Sequence, residues 1–331
     1  MLLVIVLSTL GVVISAVVVS AGMVTFSAWP ASAALVFGVL IAATDPIAVL
    51  AMFKEIGIRG RLRLLVESES LFNDGVAAIL FALVLTWAQA TDSSQLSMAT
   101  VGRNLAFMTA GGILIGVTCG VAAIAIAGRT SDRLVEATLT AVAAYGSFLL
   151  AENLQSSGVL ATVAAGLVMG NRGVLGEDKG RKAFSPDGRS FVIGLWEFGA
   201  FIANSLIFLL IGLRVGGMPL TEVGTRDLLL AIGLVLMGRG LTVYPVCLSF
   251  RPSGSAVPMR EQHVLWWGGL RGGLALALAL ALPPSFPHYN QILVTAFGVV
   301  VFSVVVQGLT MPILLRKLRL YDASERGRGE T

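Results

Sequence analysis

The chain has 331 residues, 56% of them hydrophobic and only 13% charged, far from the roughly 25% charged content of a soluble domain. That balance places it among integral membrane proteins. The net charge of +4 comes with no basic stripe or interleaved aromatics, so nucleic-acid binding is not indicated.

About 20 apolar residues are needed to cross a bilayer, and ten apolar stretches emerge, at approximately 2–25, 31–53, 69–90, 103–127, 134–151, 156–171, 191–213, 228–250, 263–282 and 291–315. The first has no basic start and is too long for a signal-peptide core, so it reads as a retained span. Between the second and third stretches lie Lys54, Arg59, Arg61 and Arg63; Arg129 and Arg133 follow the fourth. Arg172, Lys179, Arg181, Lys182 and Arg189 follow the sixth, Arg251 and Arg260 the eighth, and Arg316, Lys317, Arg319, Arg326 and Arg328 make the tail. All of these fall on one side of a ten-span ladder, and only Arg103, Arg214 and Arg226 on the other. The positive-inside rule then predicts a multi-pass cell-membrane protein with both ends of this chain in the cytoplasm.

The second stretch contains Thr44-Asp45-Pro46. Proline removes a helical hydrogen bond and disfavours helix at the residue before it, so the backbone is expected to open at Asp45. A simple kink with a local cap is the plainer alternative, but it leaves the ninth stretch unexplained. There, Gly268-Gly269-Leu270-Arg271-Gly272-Gly273 surrounds a cation with glycines, and helix propensity is again poor. By the orientation above the two stretches run in opposite senses. Two interrupted helices so arranged are the sequence pointer to an inverted-repeat transporter with its site near the midplane.

The third stretch carries Glu67-Ser68-Glu69-Ser70-Leu71-Phe72-Asn73-Asp74-Gly75. Ionisable residues at membrane depth mark ion or proton pathways by default, and Asp45, Glu69, Asp74, Arg239 and Arg271 all carry that signature. Ser70 and Asp74 are spaced i, i+4, as are Glu69 and Asn73, so the four project from adjoining helix faces. Hydroxyl, carboxamide and carboxylate together make a hard oxygen site, suited to an alkali cation or a proton and not to a transition metal. Glu69, one turn before Asn73, is expected to pair with Arg271, since either charge alone would be intolerable.

Other features receive plainer readings. Gly112, Gly116 and Gly120 in the fourth stretch form a small-residue packing face. Glu136 and Glu152 are read as interfacial, and the loop 171–190 as solvated, with Glu177 and Asp178 the candidates for a separate proton sensor. Cys119 and Cys247 read as small core residues, and His263 and His288 are too isolated to form a metal site.

Taken in order, Ala43-Thr44-Asp45-Pro46-Ile47-Ala48-Val49, Glu69-Ser70-Leu71-Phe72-Asn73-Asp74-Gly75, Gly158-Val159-Leu160-Ala161, Trp196-Glu197-Phe198 with Asn204-Ser205, Gly238-Arg239 with Tyr244-Pro245, and Gly269-Leu270-Arg271-Gly272-Gly273 resemble the monovalent cation/proton antiporter superfamily, in its sodium/proton exchanger (NhaP-type) branch. The resemblance implies an all-α polytopic fold with two unwound crossing helices, no enzymatic activity and no cofactor beyond the transported Na⁺ and H⁺. It implies that Asp74 exchanges Na⁺ (or Li⁺ or K⁺) for H⁺, with Ser70 and Thr44 as oxygen ligands of the Na⁺ and Asp45 beside them. Asn73 stands where the electrogenic branch carries a second aspartate, implying electroneutral exchange. Glu69 and Arg271 would be a structural ion pair, with Glu197 and Arg239 in supporting positions. A homodimer in the bilayer is implied for full-length members. Against that pattern about three spans are expected to be missing before residue 1. The chain would form one transporter domain: 1–90 the remainder of the first repeat, 91–130 a connector, 131–315 the second repeat and 316–331 a cytoplasmic tail. A cation channel, an ion-binding subunit or an inactive fragment are the competing readings; a channel needs a lined pore, whereas one carboxylate serving two cations in turn is exchanger logic.

Overall fold

A computed structural model describes residues 2–58, 60–89, 98–174, 184–217, 224–251 and 256–320. Its elements, in order, are α1 (Leu2–Ser27), α2 (Ala31–Leu40), α3 (Ile47–Ile56), α4 (Arg61–Gln89), α5 (Met98–Ala127), α6 (Arg133–Asn153), α7 (Gly158–Val168) with a π-helical turn at Met169–Val174, α8 (Pro186–Gly216), α9 (Thr225–Ser249), α10 (Met259–Trp267), α11 (Gly273–Leu280), α12 (Tyr289–Phe302), a second π-helical turn at Ser303–Gln307, and α13 (Gly308–Lys317). The architecture is all-α, and among the described residues seven helical runs are long and apolar enough to cross a membrane. The second and ninth apolar stretches are each split into two short helices, α2/α3 and α10/α11, as their Pro and Gly residues predict.

The third stretch begins earlier than its hydropathy suggests. Helix α4 starts at Arg61, so Glu69 and Asp74 lie inside the helix and not at its head. The first two turns carry Arg61, Arg63 and Glu67, with an i, i+4 contact between Arg63 and Glu67; a polar turn outside the hydrocarbon can be as helical as the apolar run it precedes.

The chain divides into two compact units, residues 1–88 with 207–331, and residues 89–206. In the first, α1 packs against α2 and α9. Small residues permit this: a Cβ on Gly11 would stand 2.6 Å from Thr242 Cγ2, and one on Gly238 3.2 Å from Ser15 Cα. Helix–helix association in lipid relies on such close approach, because burial gains little against hydrocarbon. One core cluster gathers Phe37, Leu40, Ile41, Leu276, Ile292 and Leu293, and a second gathers Leu7, Phe53, Leu265, Leu270, Met311 and Leu315.

In the second unit α5, α6 and α7 pack on one another. Gly112, Gly116 and Gly120 face α7, where added Cβ atoms would meet the carbonyls of Ser157, Ala161 and Ala165. Glu136 corrects the sequence reading: it is fully buried and not interfacial. Its carboxylate accepts from the Ser185 N–H at 2.9 Å and the Ser185 hydroxyl at 3.1 Å, and Ser185 Oγ accepts from Gly188 N–H at 3.0 Å. A buried carboxylate and a serine thus share the capping of the α8 amino terminus, where negative charge is favoured.

Candidate functional site

The site of interest lies in the first unit, where the two breaks meet α4 and α9. Helix α2 stops at Leu40, leaving the carbonyls of Ala42 and Ala43 without helical partners. Arg271 Nη1 donates to both, at 2.6 and 3.0 Å, and its side chain is buried. Cationic charge at a helix carboxyl end is the favourable sign. Helix α3 begins after Pro46, and Asp45 Oδ1 accepts from the Ile47 N–H at 2.9 Å in an Asx-type cap. The amide of Gly273, first residue of α11, lies against the same carboxylate. Asp45 N–H donates to the Leu270 carbonyl at 2.7 Å, joining the two breaks backbone to backbone. Gly272 has no room for a side chain there, because a Cβ would land on the Asp45 carboxylate.

Helix α4 supplies the remaining oxygen groups. Ser70 hydroxyl donates to the Thr44 carbonyl, fixing α4 to the first break. Asp74, one turn further, is half-buried, with Asp45, Glu69 and Arg271 as its charged neighbours. Among the described residues, six buried side-chain polar atoms have no hydrogen-bond partner: Thr44 Oγ1, Asn73 Oδ1, Asp74 Oδ1 and Arg271 Nε at this crossing, Glu261 Oε2 on α10 and Thr295 Oγ1 on α12. Such atoms are rare in folded proteins because each keeps the cost of its lost hydration. Three of these oxygens, on Thr44, Asn73 and Asp74, fall where α4 meets the first break, and leave that crossing with acceptors that no protein donor serves.

The ion pair expected between Glu69 and Arg271 is not formed. Glu69 instead binds Arg239 through two parallel bonds, 2.7 Å to Oε1 and 2.8 Å to Oε2. The reason is geometric. Arg239 also donates to the Leu265 carbonyl from Nε and Nη2, at 3.3 and 3.0 Å, and lies so close to Gly269 that a Cβ there would stand 2.6 Å from Nε. It therefore reaches Glu69 fork to fork, while Arg271 is taken up by carbonyls. Asn73 Nδ2 adds a long contact of 3.4 Å to Glu69 Oε1. Glu197, expected in a supporting position, sits exposed on the part of α8 that belongs to the second unit. The structure thus brings together Thr44, Asp45, Glu69, Ser70, Asn73, Asp74, Arg239 and Arg271. Glu177 and Asp178 lie outside the described residues.

Comparison with known proteins shows the family. A family model described as "Sodium/hydrogen exchanger, transmembrane" matches residues 3–317. The chain is 38% identical over 327 residues to the Na(+)/H(+) antiporter ApNhaP of Aphanothece halophytica, covering 98% of this chain and 61% of that protein. It is 38% identical to the low-affinity Na(+)/H(+) antiporter NhaS1 of Synechocystis, covering 59% of it, and 34% identical to the Na(+)/H(+) antiporter NhaH of Halobacillus aidingensis, covering 75% of it. The fold matches the solved sodium proton antiporter MjNhaP1 of Methanocaldococcus jannaschii with a TM-score of 0.78 at 20% identity, over 96% of this chain and 78% of that one. The chain thus spans about three fifths of the length of the first two relatives. It belongs to the transmembrane sodium/hydrogen exchanger family.

Proposed function

We propose that this chain carries the exchange site of a secondary antiporter that trades Na⁺ (or Li⁺ or K⁺) for H⁺ across the membrane, the two ions competing for Asp74. The observation that carries the reading is the buried, unpartnered Asp74 Oδ1, set one turn from Ser70 and beside the Asp45-bearing break. A carboxylate so placed must hold either a proton or a cation, since an uncompensated charge at depth is costly. Thr44 and Ser70 are the neutral oxygens offered to the cation. A hard, oxygen-only donor set suits an alkali ion.

Glu69 and Arg239 neutralise each other, and Asp45 and Arg271 answer helix ends, so each has a fixed electrostatic task. Asp74 is the carboxylate left over. With Asn73 uncharged beside it, a single carboxylate alternating between one Na⁺ and one H⁺ makes the exchange electroneutral. The same reading places both ends of the chain in the cytoplasm, supported by the one-sided distribution of Lys and Arg, and takes the assembly as a homodimer by likeness to the family.

Proteoliposomes with a pH-sensitive dye test it. Wild-type chain should dissipate an imposed pH gradient on addition of Na⁺, and Asp74→Asn, which keeps the volume and removes the charge, should abolish the response while remaining inserted. Wild-type rates for Asp74→Asn would overturn the assignment. Competition also makes the apparent Na⁺ KM rise about tenfold for each pH unit below the pKa of the site, with symmetric pH and an unchanged maximal rate. A KM independent of pH, with only the rate falling, would point to a separate proton sensor.

A further inference from the structure

The tenth apolar stretch runs as one helical span, Tyr289–Lys317, but the helix type changes inside it. Helix α12 ends at Phe302, and Ser303–Gln307 form a π-helical turn before α13. Such turns are rare, occur mostly as single-turn bulges inside α-helices, and are frequent at functional sites. This one brings two polar side chains into an apolar interior, Ser303 at 1% exposure and Gln307 at 3%.

Both are used on the second break. Helix α10 ends at Trp267, and Arg271 lies in the open segment before α11. Ser303 Oγ accepts from the Arg271 N–H at 3.0 Å. Its hydroxyl donates to Gln307 Oε1 at 2.5 Å, and Gln307 Nε2 donates to the Trp267 carbonyl at 3.0 Å. The order of donors is forced from one end to the other. Because the Trp267 carbonyl can only accept, the Gln307 amide nitrogen must face it, so the Gln307 amide oxygen faces Ser303 and the serine hydroxyl donates to it while accepting from the Arg271 amide. A buried backbone group without a partner costs the full desolvation of that group, and this relay answers the Trp267 carbonyl at the start of the Gly268–Gly272 gap and the Arg271 amide within it.

We propose that Ser303 and Gln307 are positioning residues for the cation site. They span the break in the ninth stretch at a fixed length, which keeps the Arg271 guanidinium on the Ala42 and Ala43 carbonyls and the Leu270 carbonyl on the Asp45 amide. Neither residue touches the cation. The proposal rests on the exchange reading for its functional half and on the hydrogen-bond relay for its structural half, and the two are tested separately.

The experiment uses the full chain in lipid nanodiscs and proteoliposomes. Hydrogen exchange of the Gly268–Gly272 amides should accelerate about tenfold or more in Ser303→Ala and in Gln307→Leu, the factor that corresponds to losing about 1.4 kcal/mol of hydrogen bonding. Amides of α1 should keep wild-type rates, and Ser303→Thr, which retains the hydroxyl, should restore protection. Gln307→Glu should not, because a carboxylate oxygen would face the Trp267 carbonyl. In flux assays the same two loosening variants should raise the apparent Na⁺ KM about tenfold while the maximal rate changes less. Wild-type amide exchange in Ser303→Ala and Gln307→Leu would overturn the relay. Accelerated exchange with an unchanged KM would overturn the positioning role. Absence of Asp74-dependent flux in the wild type would instead sink the exchange reading, with the relay still judged by its amides.

Discussion

The two breaks solve one physical problem with opposite materials. At the first, proline stops the helix, and the residue left in the gap is an acid; at the second, glycines fail to sustain it, and the residue in the gap is a base. Any such gap leaves carbonyls on one side and amides on the other without partners, and in a membrane no water is available to serve them. Each break borrows the charge it lacks from the other. Arg271 answers the carbonyl end of α2, and Asp45 lies against the amides that open α3 and α11. The exchange of charges explains why the two must cross closely, and why Gly272 can carry no side chain where it passes Asp45. The charged pair just outside the crossing, Glu69 with Arg239, is of another kind: it serves no helix end, and ties α4 to α9 and, through Leu265, to α10.

That distinction can be broken most sharply at Glu69. Removing one partner of a buried ion pair costs about 3–5 kcal/mol, because the other is left uncompensated. Glu69→Ala and Arg239→Ala should each lower stability in detergent by that order, and the double variant should lose far less than their sum. The matching cycle of Glu69→Ala with Arg271→Ala should return a smaller coupling, since Arg271 is bonded to carbonyls. Denaturation in detergent, followed for all five variants and the wild type, measures both cycles. Equal couplings would mean that Glu69 is shared between the two arginines and that crossing and pair are not separate devices.

How much of this arrangement could be read from the chain follows the range of each signal. The breaks were legible because Pro46 and the glycines of 268–273 act on their own backbone. The site residues on α4 were legible because their spacing is local. Pairing was not: Arg239 and Arg271 are both single arginines in apolar runs, and the choice of Glu69 is made by the contact of Arg239 with Gly269 and Leu265. The same holds for Glu136, whose partner Ser185 stands 49 residues away. Ser303 and Gln307 passed unnoticed for the opposite reason. Neutral polar residues in an apolar run look tolerable, and only the π-helical turn reveals that both are spent on the neighbouring break.

A second, smaller effect separates close approach from chain flexibility. Gly272→Ala should cost about 1–3 kcal/mol, the usual range for overpacking a filled interior, and should reduce transport, because the new methyl meets the Asp45 carboxylate. Gly57 is the control. It ends α3 in the left-handed region at φ 82° with open space around it, so Gly57→Ala pays for backbone conformation alone, about 1 kcal/mol. Thermal midpoints and flux for the two variants decide the matter: comparable stability losses with transport intact in both would mean that the crossing has slack.

The smallest stability change, and the most informative, is expected at Asp45 itself. Asparagine caps helices about as well as aspartate, whereas alanine loses typically ~1 kcal/mol at such a position. Asp45→Asn keeps an oxygen for the Ile47 amide, so its stability should stay within about 0.5 kcal/mol of wild type, while Asp45→Ala should fall by roughly 1 kcal/mol. Transport should not follow that order. Both substitutions remove the negative charge beside Asp74, one of its charged neighbours, and a cation attracted by two carboxylates should bind less well to one. The apparent Na⁺ KM should therefore rise in Asp45→Asn as much as in Asp45→Ala, even though only the second loosens the cap. Melting curves and Na⁺-dependent flux on the two variants separate the capping task from the electrostatic one. A KM that tracks stability, intact in Asp45→Asn and raised in Asp45→Ala, would reduce Asp45 to a helix cap and leave Asp74 as the sole charge that the cation feels at the crossing.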